Sequence, residues 1–274
     1  MRIPRAACIN DLSGFGRCSL TTAISVISAA GVQVCPVPTA VLSKHTGFES
    51  FYFSDLTDSM SQYTADWREL EFDGIYSGFL GSVKQIKIVE NFINEHRSDK
   101  TSPYIIVDPV MGDKGRLYPT YTSEMQSEMR SLVSRADLIT PNITEACFLT
   151  GTEYTGEEIS MSSARELLEK LAGLGCGQIV LTGIVKGDNM VNMTLSEGNI
   201  SVDERYRESR VFSGTGDIFA SVVCAFILKG ASVAESVEKA GKFISLSIEN
   251  TLKLGTPLSE GVVFESVLHI LRDI

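Results

Sequence analysis

The run Tyr104 to Val107 is continuously apolar and stops abruptly at Asp108-Pro109. A strand of that kind leaves neither face in water, so it belongs to a parallel sheet covered on both sides. Leu138 to Thr140 repeats the arrangement, ending in Pro141-Asn142. Ala6 to Ile9, Val32 to Val37, Thr39 to Leu42, Gly74 to Ser77 and Gln178 to Leu181 read as further strands. Between them fall helical stripes: Leu20, Ala23, Ile24, Ile27 and Ala30, closed by Gly31; Val83, Ile86, Val89 and Ile93, opened by the Ser82-Val83-Lys84-Gln85 capping pattern; and Ala164, Leu167, Leu168 and Leu171. Met190 to Leu195 and Asn199 to Asp203 alternate as an antiparallel hairpin does. Two helices are expected to close the chain, Val233 to about Thr251 and one begun by Thr256-Pro257. The fold class is therefore α/β, with a mostly parallel central sheet and an antiparallel edge hairpin.

With 274 residues, 43% of them hydrophobic, residues 1–274 are read as one domain. A net charge of −10 excludes an extended basic groove for nucleic acid. A single local phosphate site remains compatible with it. The six cysteines show no metal-ligand spacing and read as small core residues in a reducing compartment. The N-terminal stretch lacks an apolar signal core, and the run from Ile218 to Leu228 is too short to span a bilayer, so a cytoplasmic protein without a membrane segment is expected.

Ligands of open α/β sheets bind at the C-terminal ends of the strands. The loops after the strands near Ile9, Val107, Thr140 and Thr182 all fall there and carry polar residues that a buried sheet does not require. Asn10 to Arg17 is a glycine-bearing turn. Asp108 and Asp113 are carboxylates crowded at a strand mouth, a pattern that suits a cation such as Mg²⁺ on nucleotide phosphates, or else an ordinary Asp-Pro turn. Asn142 and Glu145 have the spacing of a capping box and equally that of a site residue at a helix start. Ser43 to Phe48 mixes a cation, an imidazole, a hydroxyl and an aromatic, with His45 read as exposed.

Ser213-Gly214-Thr215-Gly216-Asp217 opens an apolar helix whose buried stripe is Ile218, Phe219, Val222, Val223, Phe226 and Ile227. Free N–H groups at a glycine-rich helix start favour an anion, and the adjacent carboxylate suits proton abstraction from an attacking hydroxyl. The same five residues also make an ordinary helix cap. No P-loop and no Rossmann fingerprint is present.

Cys8-Ile9-Asn10-Asp11, Thr46, Ser77-Gly78-Phe79-Leu80-Gly81-Ser82, Asp108-Pro109-Val110-Met111-Gly112, Asn142-Ile143-Thr144-Glu145 and Gly214-Thr215-Gly216-Asp217 together resemble the pyridoxal and pyridoxamine kinases of the ribokinase-like superfamily over nearly the whole chain. The resemblance implies a three-layer α/β/α sandwich, usually a homodimer, that moves the ATP γ-phosphoryl group to the 5′-hydroxymethyl of a vitamin B6 vitamer. It implies Asp217 as base and Gly214, Thr215 and Gly216 as anion hole. It implies Asp108, Glu145 and Asp113 as the groups that organise Mg²⁺ and the ATP phosphates, with Asn142 and Thr182 along the nucleotide and Asp11 and Thr46 on the acceptor. It also implies activation by a monovalent cation, K⁺. Better-known pyridoxal kinases commonly have serine where this chain has Asp11, and Asp11-Leu12-Ser13-Gly14 is similar to hydroxymethylpyrimidine kinases of thiamine synthesis, the alternative reading. A non-catalytic vitamer-binding protein would be expected to have lost the base, which this chain retains.

Overall fold

The structure is a computed structural model that describes residues 2–97 and 102–272. The chain opens with β1 (Arg5–Ser13), α1 (Ser19–Ala29), β2 (Gln33–Leu42), β3 (Phe53–Asp55), α2 (Thr57–Ala65), β4 (Gly74–Ser77) and α3 (Val83–His96). It continues through β5 (Tyr104–Val107), a small hairpin of β6 (Gly112–Asp113) and β7 (Arg116–Leu117), α4 (Ser123–Val133), β8 (Leu138–Ile139), α5 (Ile143–Thr150) and α6 (Met161–Ala172). Last come β9 (Gln178–Lys186), β10 (Asn189–Ser196), β11 (Asn199–Tyr206), α7 (Thr215–Leu228), α8 (Val233–Leu254) and 3₁₀ turns at Leu258–Glu260 and Glu265–Arg272.

A nine-stranded sheet runs β11-β10-β9-β8-β5-β4-β1-β2-β3. Pairing is parallel from β9 to β2, and antiparallel in β9-β10-β11 and at β3. Helices α1, α7 and α8 cover one face, packing on Ala6, Cys8, Ile106 and Val180. Helices α2 to α6 cover the other, packing on Ala7, Ile9, Ile105, Val107, Ile179 and Leu181. The alternation of these neighbours within each strand is why both faces had to be apolar. This is the expected three-layer sandwich with its edge hairpin.

Several elements differ from the sequence reading. β1 does not stop at Ile9 but runs to Ser13, with a register slip against β2 between Asn10 and Leu12. The two strands expected at 32–42 are one, and its Pro36 and Pro38 lie outside the short stretch paired with β3, so their missing N–H groups cost the outer edge nothing. β9 likewise continues past Thr182 through a slip against β10. Helix α2 and strand β3 lie in segments too polar or short to show a stripe, whereas α4 does carry one, Met125, Met129, Leu132 and Val133, that the sequence reading did not pick out. α7 is buried from Ile218 to Phe226 without interruption, because it is wedged between the sheet and α8, so its exposure shows no stripe. The closing segment forms 3₁₀ turns in place of the expected helix. Ser82 does cap α3, accepting from Gln85 N–H at 3.2 Å, but the Gln85 side chain turns away from the cap and bonds Gly81, Thr39 and Thr57. Among the described residues no helix is long and apolar enough to cross a membrane.

Candidate active site

Helix α7 begins at the C-terminal edge of the sheet, and its two flanking glycines do different work. Gly214 takes φ +78, and a Cβ there would overlap the Arg17 carbonyl oxygen, so backbone and packing both demand glycine. Gly216 is exposed and a Cβ on it would meet nothing within 4 Å. The protein itself does not require glycine there. The Ile218 N–H bonds back to Gly214 O at 3.0 Å, leaving the preceding N–H groups of the first turn without helical acceptors.

Asp217 is half-buried in that first turn. Burial among protein atoms raises its carboxyl to about 6, and the negative charge of Asp11 adds to the shift. The Ser19 N–H and the Asn10 amide, 3.5 Å away, work in the opposite sense by donating to it. Ser19 holds a left-handed backbone, φ +51, uncommon for a residue with a side chain. Its N–H reaches Asp217 and its hydroxyl reaches Asp11.

Asp11 is buried on β1, where the register slips. Bulged strands re-aim side chains near sites. Burial raises its carboxyl, while Ser19 and Ser13, the latter at 2.8 Å, donate to it and hold the shift down. Asn10 anchors the same strand end, accepting from Asp11 N–H at 2.9 Å and Phe79 N–H at 2.8 Å. Thr46 is exposed on the 43–48 loop. That loop abuts the start of α7: a Cβ on Gly47 would lie 3.9 Å from Ser213 Oγ. His45, expected on the surface, is buried.

On the other side of Asp217, Asp108 is buried at the end of β5 and accepts from Thr140 Oγ1 at 2.9 Å. Burial first, then the charge of Asp217, pushes its carboxyl far above the usual range. Glu145 is raised in the same way by burial and by Asp108. Its Oε1 accepts from Met111 N–H at 3.1 Å and its Oε2 from Asn142 N–H at 2.9 Å. Asn142 completes the capping box, accepting from Glu145 N–H at 2.9 Å, and its amide donates to Gly112 O at 3.0 Å. The capping reading of the pair is thus borne out, and the same geometry sets the Glu145 carboxyl beside Asp108 at the sheet edge. Thr182 pairs with Asn142 across a parallel bridge, its N–H donating to Pro141 O at 2.9 Å. It sits inside β9 and not in a following loop. Asp113 stands apart, exposed on β6 and accepting from Lys114 N–H at 2.9 Å.

Asp11, Asp217, Asp108 and Glu145 therefore follow one another along the sheet edge, each close enough to shift its neighbour. Among the described residues no trio of His, Cys, Asp and Glu is gathered as a ligand cluster. Neither Asp108 nor Glu145 is paired with Lys or Arg among the described residues. Two buried carboxylates left without a counter-charge fit a hydrated hard cation better than direct ligation. Sequence reasoning missed Asn10 and Ser19 as partners of Asp217. It also missed Tyr118, an exposed side chain whose phenol is raised by partial desolvation and then by the negative field of Glu145, Asp113, Asp217 and Asp108.

The phosphomethylpyrimidine kinase family matches residues 19–261 of this chain. The Bacillus subtilis hydroxymethylpyrimidine/phosphomethylpyrimidine kinase is 26% identical over 260 residues, 93% of each chain. A Bacteroides thetaiotaomicron protein, solved with pyridoxal as a candidate phosphomethylpyrimidine kinase, is 38% identical and superposes with a TM-score of 0.93 over 100% of this chain and 96% of its own. The pyridoxal kinase of Lactobacillus plantarum is 28% identical with a TM-score of 0.89, over 99% of this chain and 97% of its own. Pyridine and pyrimidine kinases thus lie at comparable distance, and both are small-molecule phosphotransferases. The chain is a member of the phosphomethylpyrimidine kinase family, among the ribokinase-like kinases that also include the pyridoxal kinases.

Proposed function

We propose that this kinase transfers the ATP γ-phosphoryl group to the 5′-hydroxymethyl of a vitamin B6 vitamer. The observation that carries the reading is Asp217: a carboxyl raised to about 6, in the first turn of α7, beside N–H groups with no helical acceptor. A base that titrates near neutrality both takes a hydroxyl proton and stays ionised at working pH. The N–H groups at Gly214, Thr215 and Gly216 hold the developing phosphoryl charge. Asp108 and Glu145, with Asp113 at the rim, hold the hydrated Mg²⁺ of the nucleotide, which supplies charge neutralisation on the phosphates. Asn142 and Thr182 line the nucleotide through the backbone they fix. On the acceptor side Thr46 borders the ring, and buried Asp11 selects a protonated amine or ring nitrogen, favouring pyridoxamine over pyridoxal.

The pyridoxal bound by the Bacteroides protein supports the vitamer reading. The second reading, a hydroxymethylpyrimidine kinase, rests on the family's description and on the Bacillus relative. A coupled ATP-consumption assay with Mg²⁺, with and without K⁺, separates them when run against pyridoxal, pyridoxamine, pyridoxine and hydroxymethylpyrimidine with the product identified by mass. A B6 vitamer is expected to give the highest kcat/KM. Preference for the pyrimidine moves the enzyme to the second reading, and no transfer to any acceptor leaves a binding protein. Asp11→Ser is expected to lower the ratio of kcat/KM for pyridoxamine to that for pyridoxal; an unchanged ratio removes Asp11 from acceptor selection.

A further inference from the structure

The loops that carry the acceptor side are tied to the far end of the chain. His45 is 7% exposed and uses both ring nitrogens: Nε2 meets the Ser259 carbonyl at 2.7 Å and Nδ1 accepts from Gly47 N–H at 3.1 Å. That pair of partners assigns the neutral ring with its proton on Nε2. The ring is enclosed by its surroundings. A Cβ on Gly16 would overlap it, one on Gly47 would lie 2.8 Å from Cε1, and the Phe48 ring stands 4.6 Å away. The His45 N–H also donates to Phe15 O at 3.2 Å, joining the 14–17 and 43–48 loops directly.

The turn that receives His45 grips the first loop as well. Glu260 O accepts from Arg17 N–H at 3.1 Å and from Arg17 Nη1 at 3.3 Å, and Arg17 Nε pairs with Glu265 at 2.6 Å. Gly261, at φ +84, lies against the Arg17 backbone. The 259–261 turn therefore touches both loops, with the imidazole inserted among all three segments. We propose that His45 is a positioning residue for the acceptor. It fixes the separation of the 14–17 loop, which follows directly on the β1 end that carries Asp11, from the 43–48 loop that carries Thr46, by pinning both to the Ser259 carbonyl, without touching the reacting atoms. Nothing it contacts belongs to the Asp108, Asn142 and Glu145 side, so its effect should be confined to the acceptor.

The proposal rests on the kinase reading for what is bound, while the pinning itself does not. His45→Ala is expected to raise the KM of the preferred acceptor in the panel above by about tenfold or more, since small displacements of positioning groups are costly. The KM for ATP should stay within about twofold, because uniform loss of binding falls on the ligand whose site is loosened. His45→Gln, which keeps a donor for Ser259 O, is expected to recover part of the acceptor KM and guards against a variant that fails to fold. Amide hydrogen exchange on the same variants should quicken at 14–18, 43–48 and 259–261 together. Equal rises in both KM values, an unchanged acceptor KM, or quickening confined to 43–48 would overturn the proposal. If the wild-type protein phosphorylates none of the acceptors, the kinase reading fails, and the exchange pattern still decides whether His45 joins the three segments.

Discussion

Along the sheet edge, the β5–β8–β9 side and the β1–β2 side hold their polar residues by different means. On the first, Glu145 is bound by Asn142 three residues before it and by Met111, Asp108 by Thr140 on the adjacent strand end, and Thr182 by Pro141 across one bridge. On the second, Asn10 reaches Phe79 and Asp217, His45 reaches Ser259, and Arg17 reaches Glu260 and Glu265. The side proposed for the nucleotide is built from helix caps and neighbouring strand ends. The side proposed for the acceptor is completed by residues 259–265, far along the chain. On the proposed reading, phosphate chemistry sits on local structure and acceptor recognition on contacts of long sequence separation, where one change can move a whole loop.

Asp217 lies between the two sides, and removing its charge is the largest break. Asp217→Asn should lower turnover by about a hundredfold or more while leaving the fold intact. A proposed base at Asp217 must be ionised to act, so wild-type turnover should fall as pH drops below about 6, approaching tenfold per pH unit. Rate measurement across pH 5 to 8 checks this, and an unaltered rate in Asp217→Asn would mean another base.

The two glycines test whether the α7 start is demanded by the protein or by its ligand. Gly216→Val meets no protein atom at its Cβ, so it should fold normally and lose up to about 3 kcal/mol of transition-state stabilisation, about a hundredfold in rate. Gly214→Ala should instead unfold more easily, by about 1–3 kcal/mol, from its left-handed backbone and its clash with Arg17. Thermal melts beside rates separate the two, and similar melts for both would erase the distinction.

Smaller effects probe the side proposed for the nucleotide. Asn142→Ala removes a cap from α5 and should cost about 1 kcal/mol. In a chain of this length that is roughly 2 °C in Tm. A large rise in ATP KM without a change in Tm would instead make Asn142 a ligand contact first.

Asp108 gives the most conditional effect, one on stability that depends on pH. Its folded carboxyl holds its proton to higher pH than the unfolded one, so folding takes up a proton between the two values. Stability contributed by the protonated form is present below the unfolded value and is lost as pH rises through the folded one. Asp108→Asn should therefore raise the Tm of the ligand-free protein at alkaline pH and change it least near pH 4. Equal shifts at both ends would place the effect in packing.

The layers of the fold were legible in single strands. Tyr104–Val107 could only be buried on both faces, and the caps at Ser82 and Asn142 could be read from spacing alone. So could the placement of Asp217 in the first turn of a helix at the strand ends. Local pattern reports local burial, and these features depend on residues a few positions apart. The continuation of β1 and β9 through register slips was not legible, because a slip exists only relative to the neighbouring strand. The same holds for the burial of His45, which needs a carbonyl at Ser259, and for the left-handed Ser19 that joins Asp11 to Asp217. The sequence by itself determined the sandwich, its edge hairpin and the carboxylates carried on strand ends. Only the tertiary structure decided which of those carboxylates stand next to one another, because proximity across a sheet is set by strand order, and strand order brings together residues that no sequence window contains.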